Sequence, residues 1–313
     1  MGMAVIGENK RQDRVLITGS SGFLGKYISD TFTNLGYDVK TVGRRPINHY
    51  QLDLAKKVVN LNNEIYDIVI HCAGKAHSVP KSEQDKKEFY NVNVGGTENL
   101  LKSLNNLLVK PKSFIFISSV AVYGLISGNQ INEDTPLKAT DSYGNSKILA
   151  EKTIQLWCTE NKVVCSILRL PLIIGINPLG NLKSMIDGIR IGYYLNIDDG
   201  KARKSMVLAE DVANFIPKVS VVGGIYNLTD GHHPNLISLS ERIAYKLGKN
   251  RPMNLPNFLA FLLAKVGDLL GNRFPLNSDK LIKITSDLTF DDSKARRIAN
   301  WNSTSILEGL NVS

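Results

Sequence analysis

Two kinds of apolar pattern alternate along the first half of the chain. Short runs rich in Val and Ile are typical of strands that are buried on both faces of a sheet. Such runs predict strands over 15–18, 38–42, 68–71, 114–118 and 163–169. Between them, apolar residues recur at helical spacing and predict helices over 23–35, 83–108 and 143–160. The alternation predicts an α/β fold with a doubly wound parallel sheet.

The pattern changes after Arg169. Glycine and proline become frequent between residues 175 and 192, and helical patterns dominate from residue 238 onward. We therefore expect a first domain over 13–175 and a smaller, mostly helical lobe over 176–313, which is interleaved with the last strands of the sheet. Residues 1–12 are expected to form a flexible tail.

One apolar stretch, LPNFLAFLLAKVGDLL at 255–270, raises the question of a membrane span. It is shorter than the ~20 apolar residues that a span requires, and it contains Lys265 and Asp268. Its apolar residues follow a helical period. We expect a helix in the core or at an interface, with peripheral membrane contact as the alternative.

The composition is that of a soluble globular protein, with 43% hydrophobic and 21% charged residues among 313. The net charge of +9 suits anionic small ligands. Nucleic-acid binding would call for a basic stripe with interleaved aromatic residues, and the sequence shows none, so we expect no nucleic-acid partner.

The three cysteines, Cys72, Cys158 and Cys165, lack the spacing of a metal site. Their number is odd and no signal peptide is visible. We therefore expect reduced thiols, no metal and no integral membrane segment in a cytoplasmic protein.

A glycine-rich turn stands between the first strand and the first helix. Gly19, Gly22 and Gly25 lie in the sequence TGSSGFLG at 18–25. Residues without side chains let backbone N–H groups approach a pyrophosphate at a helix N-terminus, so this unit predicts a dinucleotide site. The sheet is then of the Rossmann type, with 13–175 as the NAD(P)-binding domain, although the spacing differs from the common Gly-x-Gly-x-x-Gly fingerprint.

The end of the second strand bears on the choice of cofactor. An acidic residue there usually binds the free ribose 2′-hydroxyl of NAD, whereas arginine accommodates the 2′-phosphate of NADP. Here Gly43 occupies the acidic position, and Arg44 and Arg45 follow it. We therefore favour NADP(H), with NAD(H) as the alternative. Asp53, followed by Leu54, is placed to bring a carboxylate near the adenine amino group.

The candidate chemistry lies on the helix over 143–160. Tyr143 and Lys147 are four residues apart and so share one helix face. A nearby ammonium favours phenolate, so we expect the pKa of Tyr143 to be lowered and the phenol to serve as an acid or base. Ser119 ends a strand at the same sheet edge and is placed to hydrogen-bond a carbonyl oxygen beside Tyr143.

Together these motifs resemble the extended short-chain dehydrogenase/reductases, in particular the nucleotide-sugar epimerase, dehydratase and reductase group. The resemblance covers residues 13–310 in order. The matching segments are TGSSGFLG at 18–25, DL at 53–54, HCAG at 71–74, NVGGT at 93–97, SSVAVYG at 118–124, YGNSK at 143–147, RLPLIIG at 169–175, NLKSM at 181–185, RKSMVLAEDVA at 203–213 and DDSKARRIANW at 291–301.

The resemblance implies roles for individual residues. Ser119, Tyr143 and Lys147 match the catalytic set of the family, and Asn93 matches an Asn that either contacts the cofactor or only links strand and helix. The implied cofactor-binding residues are Gly19, Ser21, Gly22, Phe23, Leu24, Gly25, Arg44, Arg45, Asp53, Leu54, Cys72, Ala73, Gly74, Asn93, Tyr143, Lys147, Leu170 and Leu172. The implied substrate-binding residues are Lys75, Ser119, Val120, Ala121, Tyr143, Asn181, Arg203 and Lys204.

Two departures from the family pattern narrow the expected reaction. Val120 and Ala121 stand where the dehydratases carry an acidic pair, so 4,6-dehydration is not expected. Most 4-epimerases have an acid at the position of Gly43 to keep NAD bound, whereas Gly43 followed by Arg44 suits an exchangeable NADPH.

The resemblance therefore implies an NADPH-dependent reductase of a nucleotide-linked 4-keto-6-deoxy sugar, of the kind used in polysaccharide biosynthesis. UDP-4-keto-6-deoxy-N-acetylhexosamine is the expected substrate, with hydride going to C4 and the proton coming from Tyr143. A UDP-hexose or UDP-N-acetylhexosamine 4-epimerase is the alternative. Family members often dimerise through the helices predicted over 83–108 and 143–160, so a homodimer is expected.

Overall fold

Seven parallel strands form the central sheet of the computed structural model, which describes residues 11–62, 64–76, 80, 82–178, 180–270 and 276–312. The strands of this sheet are β1 (Arg14–Thr18), β2 (Asp38–Gly43), β3 (Tyr50–Gln51), β4 (Ile68–His71), β5 (Ser113–Ser119), β7 (Val164–Leu170) and β11 (Gly224–Asn227). Their spatial order is β11-β7-β5-β4-β1-β2-β3. The predicted doubly wound parallel sheet is thus confirmed, with its switch point between β1 and β4.

Eleven α-helices are present in the described part of the chain. They are α1 (Phe23–Asn34), α2 (Glu83–Tyr90), α3 (Gly96–Asn105), α4 (Ser142–Asn161), α5 (Gly180–Ile191), α6 (Ala209–Val219), α7 (Leu236–Lys246), α8 (Asn257–Leu270), α9 (Ser278–Thr285), α10 (Ser293–Ala299) and α11 (Ile306–Gly309). Alternate strand residues enter two cores, one on each face of the sheet. Val15 and Ile17 pack under α1 and α6, whereas Leu16 packs under α3 and α4.

Three small parallel sheets of two strands each lie outside the central sheet. They pair β6 (Gly128–Ile131) with β13 (Leu288–Phe290), β8 (Leu172–Ile174) with β10 (Met206–Leu208), and β9 (Leu195–Ile197) with β12 (Met253–Leu255). A separate core joins α5, α7 and α11 to β8 and β10. The central sheet also takes β11 and the covering helix α6 from beyond residue 175.

The predicted helix over 83–108 is wrong in detail, because α2 and α3 are joined by a π-helical turn at Asn91–Gly95. Such an insertion rotates one residue out of the regular helical ladder, and the side chain of Asn93 is buried there. The strands β3 and β11 were not predicted. β3 has only two residues, and β11, with the sequence GIYN, has only two apolar residues between a glycine and an asparagine.

Of the predicted tail over 1–12, residues 1–10 lie outside the described residues. Arg11 and Gln12 are attached to the sheet and not loose. The Arg11 guanidinium lies 2.7 Å from the Asp67 carboxylate, and the Gln12 amide donates to the carbonyl of Gly36.

The helix expected over 255–270 forms as α8, but it is not a core helix. Its buried residues are the small ones, Ala260, Ala264 and Gly267, and its large apolar side chains face outward. Ala260 and Ala264 pack with Leu281 of α9. None of the helices described here is long and apolar enough to cross a membrane.

A buried ion pair attaches α4 to the sheet. Glu151 on α4 is fully buried and Arg169 at the end of β7 is 3% exposed. The guanidinium donates to both carboxylate oxygens, with Nη2 at 2.8 Å and Nε at 3.2 Å. Ser118 of β5 donates to the same carboxylate, and Arg169 also donates to the Tyr123 hydroxyl at 3.1 Å. Every member of this network therefore has a partner.

Replacing Glu151 by Ala should lower the free energy of unfolding by about 3–5 kcal/mol, because the Arg169 charge would remain buried without its partner. Urea denaturation would measure the change. The control is Asp187→Ala, which removes only a surface pair with Lys183 and Arg190 and should cost about 0–1 kcal/mol. Equal, small losses in both variants would contradict the structural role assigned to Glu151.

Candidate active site

The glycine turn after β1 is packed too closely to accept side chains. Gly19 has a φ of +73°, and a Cβ atom there would lie 2.7 Å from the backbone N of Ala73. A Cβ atom on Gly25 would lie 2.1 Å from the carbonyl oxygen of Gly19. Helix α1 begins after Gly22 with neither a side-chain cap nor an acidic residue in its first turn. Its N–H groups are thus available to an anion, as a pyrophosphate requires.

The remaining residues of the turn lie where the sequence predicts. Ser21 precedes Gly22 on the turn, and Phe23 and Leu24 form the start of α1. Leu24 is buried in the core. A Cβ atom on Gly175, in the segment after β8, would lie 3.1 Å from the Phe23 ring. The start of α1 therefore contacts the connection into the C-terminal lobe.

Asn48 fills the space beside Gly43 at the end of β2. A Cβ atom on Gly43 would lie 2.8 Å from the Asn48 amide nitrogen. That amide donates to the carbonyl of Arg45 at 2.8 Å, and its oxygen accepts from the Ser20 hydroxyl at 3.0 Å. An acidic side chain at position 43 would collide with Asn48. The loop is thereby tied directly to the glycine turn.

Arg44 and Arg45 are exposed on this loop. Their backbone carbonyls accept hydrogen bonds from Gln51 and Asn48. Within the described ranges, neither guanidinium has a hydrogen-bond or ion-pair partner. Two cations thus stand free beside the glycine turn.

Asp53 and Leu54 lie in the turn that follows β3. The Asp53 carboxylate accepts from the backbone N–H of Ala55 at 3.1 Å. The carbonyl of Leu54 accepts from Asn99 on α3 at 2.7 Å, and the Leu54 side chain is buried. The Asp53 carboxylate thus also stabilises its own turn.

His71 at the end of β4 links the first strand to α3. Thr97 donates to the carbonyl of Asn93, so its hydroxyl oxygen accepts from His71 Nε2 at 3.0 Å. His71 Nδ1 then accepts from the Thr18 hydroxyl at 2.6 Å. Burial lowers the pKa of His71 to about 3, and the Lys147 charge acts in the same direction. The ring is therefore neutral and holds three elements together.

Asn93 links the loop after β4 to α4. Its amide donates to the carbonyl of Lys75 and to the Ser146 hydroxyl, at 3.1 and 2.8 Å. Its oxygen accepts from the backbone N–H of Lys75 at 2.7 Å. These contacts link the loop after β4 to α4, and a contact of Asn93 with the cofactor stays a prediction.

The loop after β4 brings small residues to the site. Cys72, Ala73 and Gly74 follow the strand directly, and the Ala73 N–H donates to the Thr18 hydroxyl at 3.2 Å. A Cβ atom on Gly74 would lie 3.3 Å from the Lys147 ammonium. The candidate substrate residue Lys75 instead pairs with Glu88 on α2.

Ser119 and Tyr143 meet at the carboxyl edge of the sheet. Ser119 is the last residue of β5, and its hydroxyl lies close enough to the Tyr143 phenol to act on its pKa. Helix α4 begins at this point because the Asp141 carboxylate accepts from the N–H groups of Tyr143 and Gly144, at 3.1 and 3.0 Å. A Cβ atom on Gly144 would lie 2.7 Å from the carbonyl of Ala121, so the turn after Ser119 packs directly on α4.

The expected direction of the Tyr143 pKa shift is wrong for this structure. Burial raises the pKa of Tyr143 above its ordinary value of 10.0, and the nearby Ser119 hydroxyl opposes the rise only in part. The charges of Asp141 and Cys72 raise it further. Lys147 does not counteract this effect, because its ammonium donates to the carbonyl of Ile117 at 2.9 Å. Tyr143 is therefore a neutral phenol at neutral pH.

Lys147 is almost fully buried on the inner face of α4. Its ammonium lies 4.6 Å from the centre of the Phe116 ring. Burial lowers the pKa of Lys147 to about 8, although the charges of Cys72 and Glu151 oppose the shift. Burial also raises the pKa of Cys72 to about 11. The ammonium is thus held between β4 and β5, beside Gly74 and Cys72.

Leu170 and Leu172, implied near the nicotinamide, lie on either side of Pro171 at the end of β7 and the start of β8. Leu170 is the register partner of Ser119 in the sheet. Val120 and Ala121 form the first turn of a 3₁₀ helix after Ser119, whose hydroxyl accepts from the Ala121 N–H. These residues therefore surround the Ser119 side of the site.

The residues predicted to contact the substrate diphosphate are either exposed or hydrogen-bonded within the protein. Asn181 is exposed on α5. The Arg203 guanidinium donates to the carbonyls of His232 and His233, at 2.9 and 3.2 Å. The Lys204 ammonium donates to carbonyls at the end of α9. The structure thus gives Arg203 and Lys204 intramolecular partners, and their substrate contacts stay predictions.

Sequence reasoning missed several residues that organise the site. Glu151 stands one helical turn after Lys147, and an acidic residue on a buried helix face was the available signal. His71 was visible in the HCAG motif without an assigned partner. Asn48 had no local signal, because its contact with Gly43 depends on how the loop folds.

Comparison with known proteins identifies the same architecture. A profile described as the NAD dependent epimerase/dehydratase family matches residues 15–228. The N-acetyl-alpha-D-glucosaminyl-diphospho-ditrans,octacis-undecaprenol 4-epimerase of Escherichia coli O157:H7 is 28% identical, over 90% of this chain and 88% of its own length. The UDP-glucose 4-epimerase of Vibrio cholerae is 26% identical, over 96% and 94%.

A solved structure shows that the likeness extends over the whole fold. The UDP-glucose 4-epimerase of Thermotoga maritima, solved with UDP-glucose, superimposes with a TM-score of 0.73. The match covers 96% of each chain at 19% sequence identity.

Replacing Tyr143 by Phe should lower turnover of a carbonyl substrate by about 10²–10⁴-fold, since the predicted proton donor would be lost. The dissociation constant of the nicotinamide cofactor should stay unchanged, and fluorescence titration would measure it. Tyr37→Phe is the matched control, because this ring packs against Phe32 at the far end of α1. Full turnover in the Tyr143→Phe variant would show that Tyr143 is not the proton donor.

Proposed function

The chain belongs to the NAD-dependent epimerase/dehydratase family, and we propose that it is an NADPH-dependent reductase acting at C4 of a nucleotide-linked 4-keto-6-deoxy sugar. The observation that carries this proposal is the packing of Asn48 against Gly43, with Arg44 and Arg45 free beside it. A UDP-linked 4-keto-6-deoxy-N-acetylhexosamine is the proposed substrate.

The residues at the sheet edge suit a reduction. The chemistry that a bound nicotinamide dinucleotide supplies is hydride transfer to the carbonyl carbon. Because its pKa is raised, Tyr143 keeps its proton at neutral pH and can donate it to the O4 oxygen as negative charge develops there. Ser119 orients the same oxygen through its hydroxyl. Lys147 supplies a fixed positive charge beside Gly74 and Cys72.

The cofactor site supports NADPH that exchanges at each turnover. The glycine turn and the open N-terminus of α1 fit a pyrophosphate. At the end of β2, a carboxylate would repel a 2′-phosphate, and the Asn48 side chain occupies the space beside Gly43 that an acidic side chain would need. The guanidinium groups of Arg44 and Arg45 suit a phosphate, because they offer paired donors in one plane.

The residues after Ser119 argue against dehydration. Elimination of water needs an acid or base close to the reacting carbons. Val120 and Ala121 provide apolar side chains there, and the adjacent backbone is committed to the 3₁₀ turn. The Asp141 carboxylate caps α4.

A 4-epimerase is the second candidate, and it is favoured by the relatives. Two proteins that match at least nine-tenths of this chain act as 4-epimerases, one on a UDP-sugar and one on a sugar carried by diphospho-undecaprenol. The same Ser119, Tyr143 and Lys147 would serve that reaction, which needs a cofactor that stays bound. The carrier of the sugar would then be a nucleotide or a lipid diphosphate.

Turnover with a panel of UDP- and dTDP-linked 4-keto sugars tests the reductase. NADPH absorbance should fall in proportion to product, with one cofactor oxidised for each sugar reduced. The epimerase candidate would instead give protein purified with tightly held cofactor and no net NADPH oxidation. Tightly held cofactor without net NADPH oxidation, together with interconversion of a 4-hydroxy sugar, would identify a 4-epimerase instead.

Replacing Arg44 by Ala should raise the dissociation constant for NADPH by roughly ten- to a hundred-fold, which corresponds to the loss of about 1.5–3 kcal/mol. Binding of NADH should barely change. The NADPH preference of the wild type should also shrink as salt is added, since the contact is ionic. Arg251→Ala, at an exposed arginine in the C-terminal lobe, is the control. Equal binding of NADH and NADPH by the wild type at low salt would contradict the assignment.

A further inference from the structure

Helix α8 presents its large apolar side chains to the outside of the protein. Leu269 is 88% exposed, Phe258 65% and Leu262 57%. The face that packs on the protein consists of Ala260, Ala264 and Gly267. A core helix has the opposite arrangement, because burial of its large apolar side chains is what stabilises it.

The exposed apolar surface extends beyond this helix. Strand β12 leads into α8, and its residue Met253 is 72% exposed. Met253 pairs in register with Leu195 of β9, which is also exposed. We call the outward side of α8 together with Met253 and Leu195 the α8 face. Exposed apolar surface on this scale marks a contact with a partner or with lipid.

Positively charged residues outnumber acidic ones in α8 and in the segments that flank it. Residues 246–285 contain seven Lys or Arg and two Asp or Glu, within a chain whose net charge is +9. Lys265 projects from among the apolar side chains, with its ammonium 5.3 Å from the centre of the Phe261 ring. Lys249, Arg251 and Lys283 are exposed on the flanking segments. Long basic side chains among exposed apolar residues are typical of surfaces that meet anionic head groups.

Helix α8 is anchored to the neighbouring helix α9. The Asp268 carboxylate accepts from the N–H and the hydroxyl of Ser278, at 2.9 and 2.6 Å, which links α8 to the start of α9. Ala264 packs against Leu281 with no exposed area of its own. The α8 face is therefore held by a small-residue contact and an end-to-end hydrogen bond.

We propose that the α8 face docks the protein on the surface of an anionic lipid bilayer. The apolar side chains would enter the boundary between head groups and acyl chains, and the surrounding lysines and arginines would meet the lipid phosphates. A second copy of the chain would place the same positive charges against each other. The charge pattern therefore favours the bilayer, and this inference does not depend on which sugar reaction the site performs.

Vesicle flotation tests the proposal with the full-length protein. Wild-type protein should bind vesicles of equal parts phosphatidylglycerol and phosphatidylcholine, and bind vesicles of phosphatidylcholine alone more weakly. The double variant Leu262→Glu/Leu269→Glu should lower the partition coefficient on anionic vesicles by at least about tenfold, because two charges would face the acyl boundary. The matched control is Leu108→Glu, at an apolar residue 86% exposed outside the α8 face, and it should bind as the wild type does.

Two further measurements keep the test decisive. Circular dichroism melting and cofactor binding should be the same in the double variant and the wild type, which shows that both are folded. Light scattering without lipid should give both the same mass. The proposal is overturned if wild-type protein does not float, if the double variant floats equally well, or if its mass halves, since the α8 face would then be a contact between copies.

Discussion

The buried pair between Glu151 and Arg169 is the interaction on which the site depends. Glu151 lies one turn after Lys147 on α4, and Arg169 stands beside the last residue of β7. Ser118 of β5 donates to the same carboxylate. One ion pair thus fixes the rotation and height of α4 against two strands, and Tyr143 reaches Ser119 as a consequence. A buried charge pair is costly to desolvate, so its full hydrogen bonding here is what makes it a usable anchor.

Close backbone packing and hydrogen bonds between elements hold the site together around this ion pair. Gly19, Gly25 and Gly144 mark positions where backbone elements come too near for a side chain. Asn93 and His71 connect the same elements through hydrogen bonds. These packing and hydrogen-bond contacts therefore hold Ser119, Tyr143 and Lys147 in place. The electrostatic result is a buried Tyr143 whose raised pKa keeps the phenol protonated at neutral pH.

The sequence predicted the sheet well because its strands are buried on both faces and its turns carry glycine signals. The placement of Tyr143 and Lys147 on one helix face was also predictable, since residues four apart share a face by geometry alone. The direction of the Tyr143 pKa shift could not be predicted from the sequence, because it depends on burial and on where the Lys147 ammonium points. The orientation of α8 was equally hidden: an apolar helical period does not reveal that Ala260 and Ala264 face inward. Asn48 and Gly43 meet only through the fold of their loop.

Isotope transfer from the cofactor tests the central claim most directly. A 4-keto-6-deoxy sugar nucleotide would be incubated with NADPH deuterated at the transferable position of the nicotinamide, and the product would be analysed by NMR. A reductase with Tyr143 as proton donor should give product that carries deuterium at C4 in a one-to-one ratio with oxidised cofactor. A product without deuterium at C4, with the added NADPH intact, would contradict the reductase and identify a reaction on cofactor that never leaves the protein.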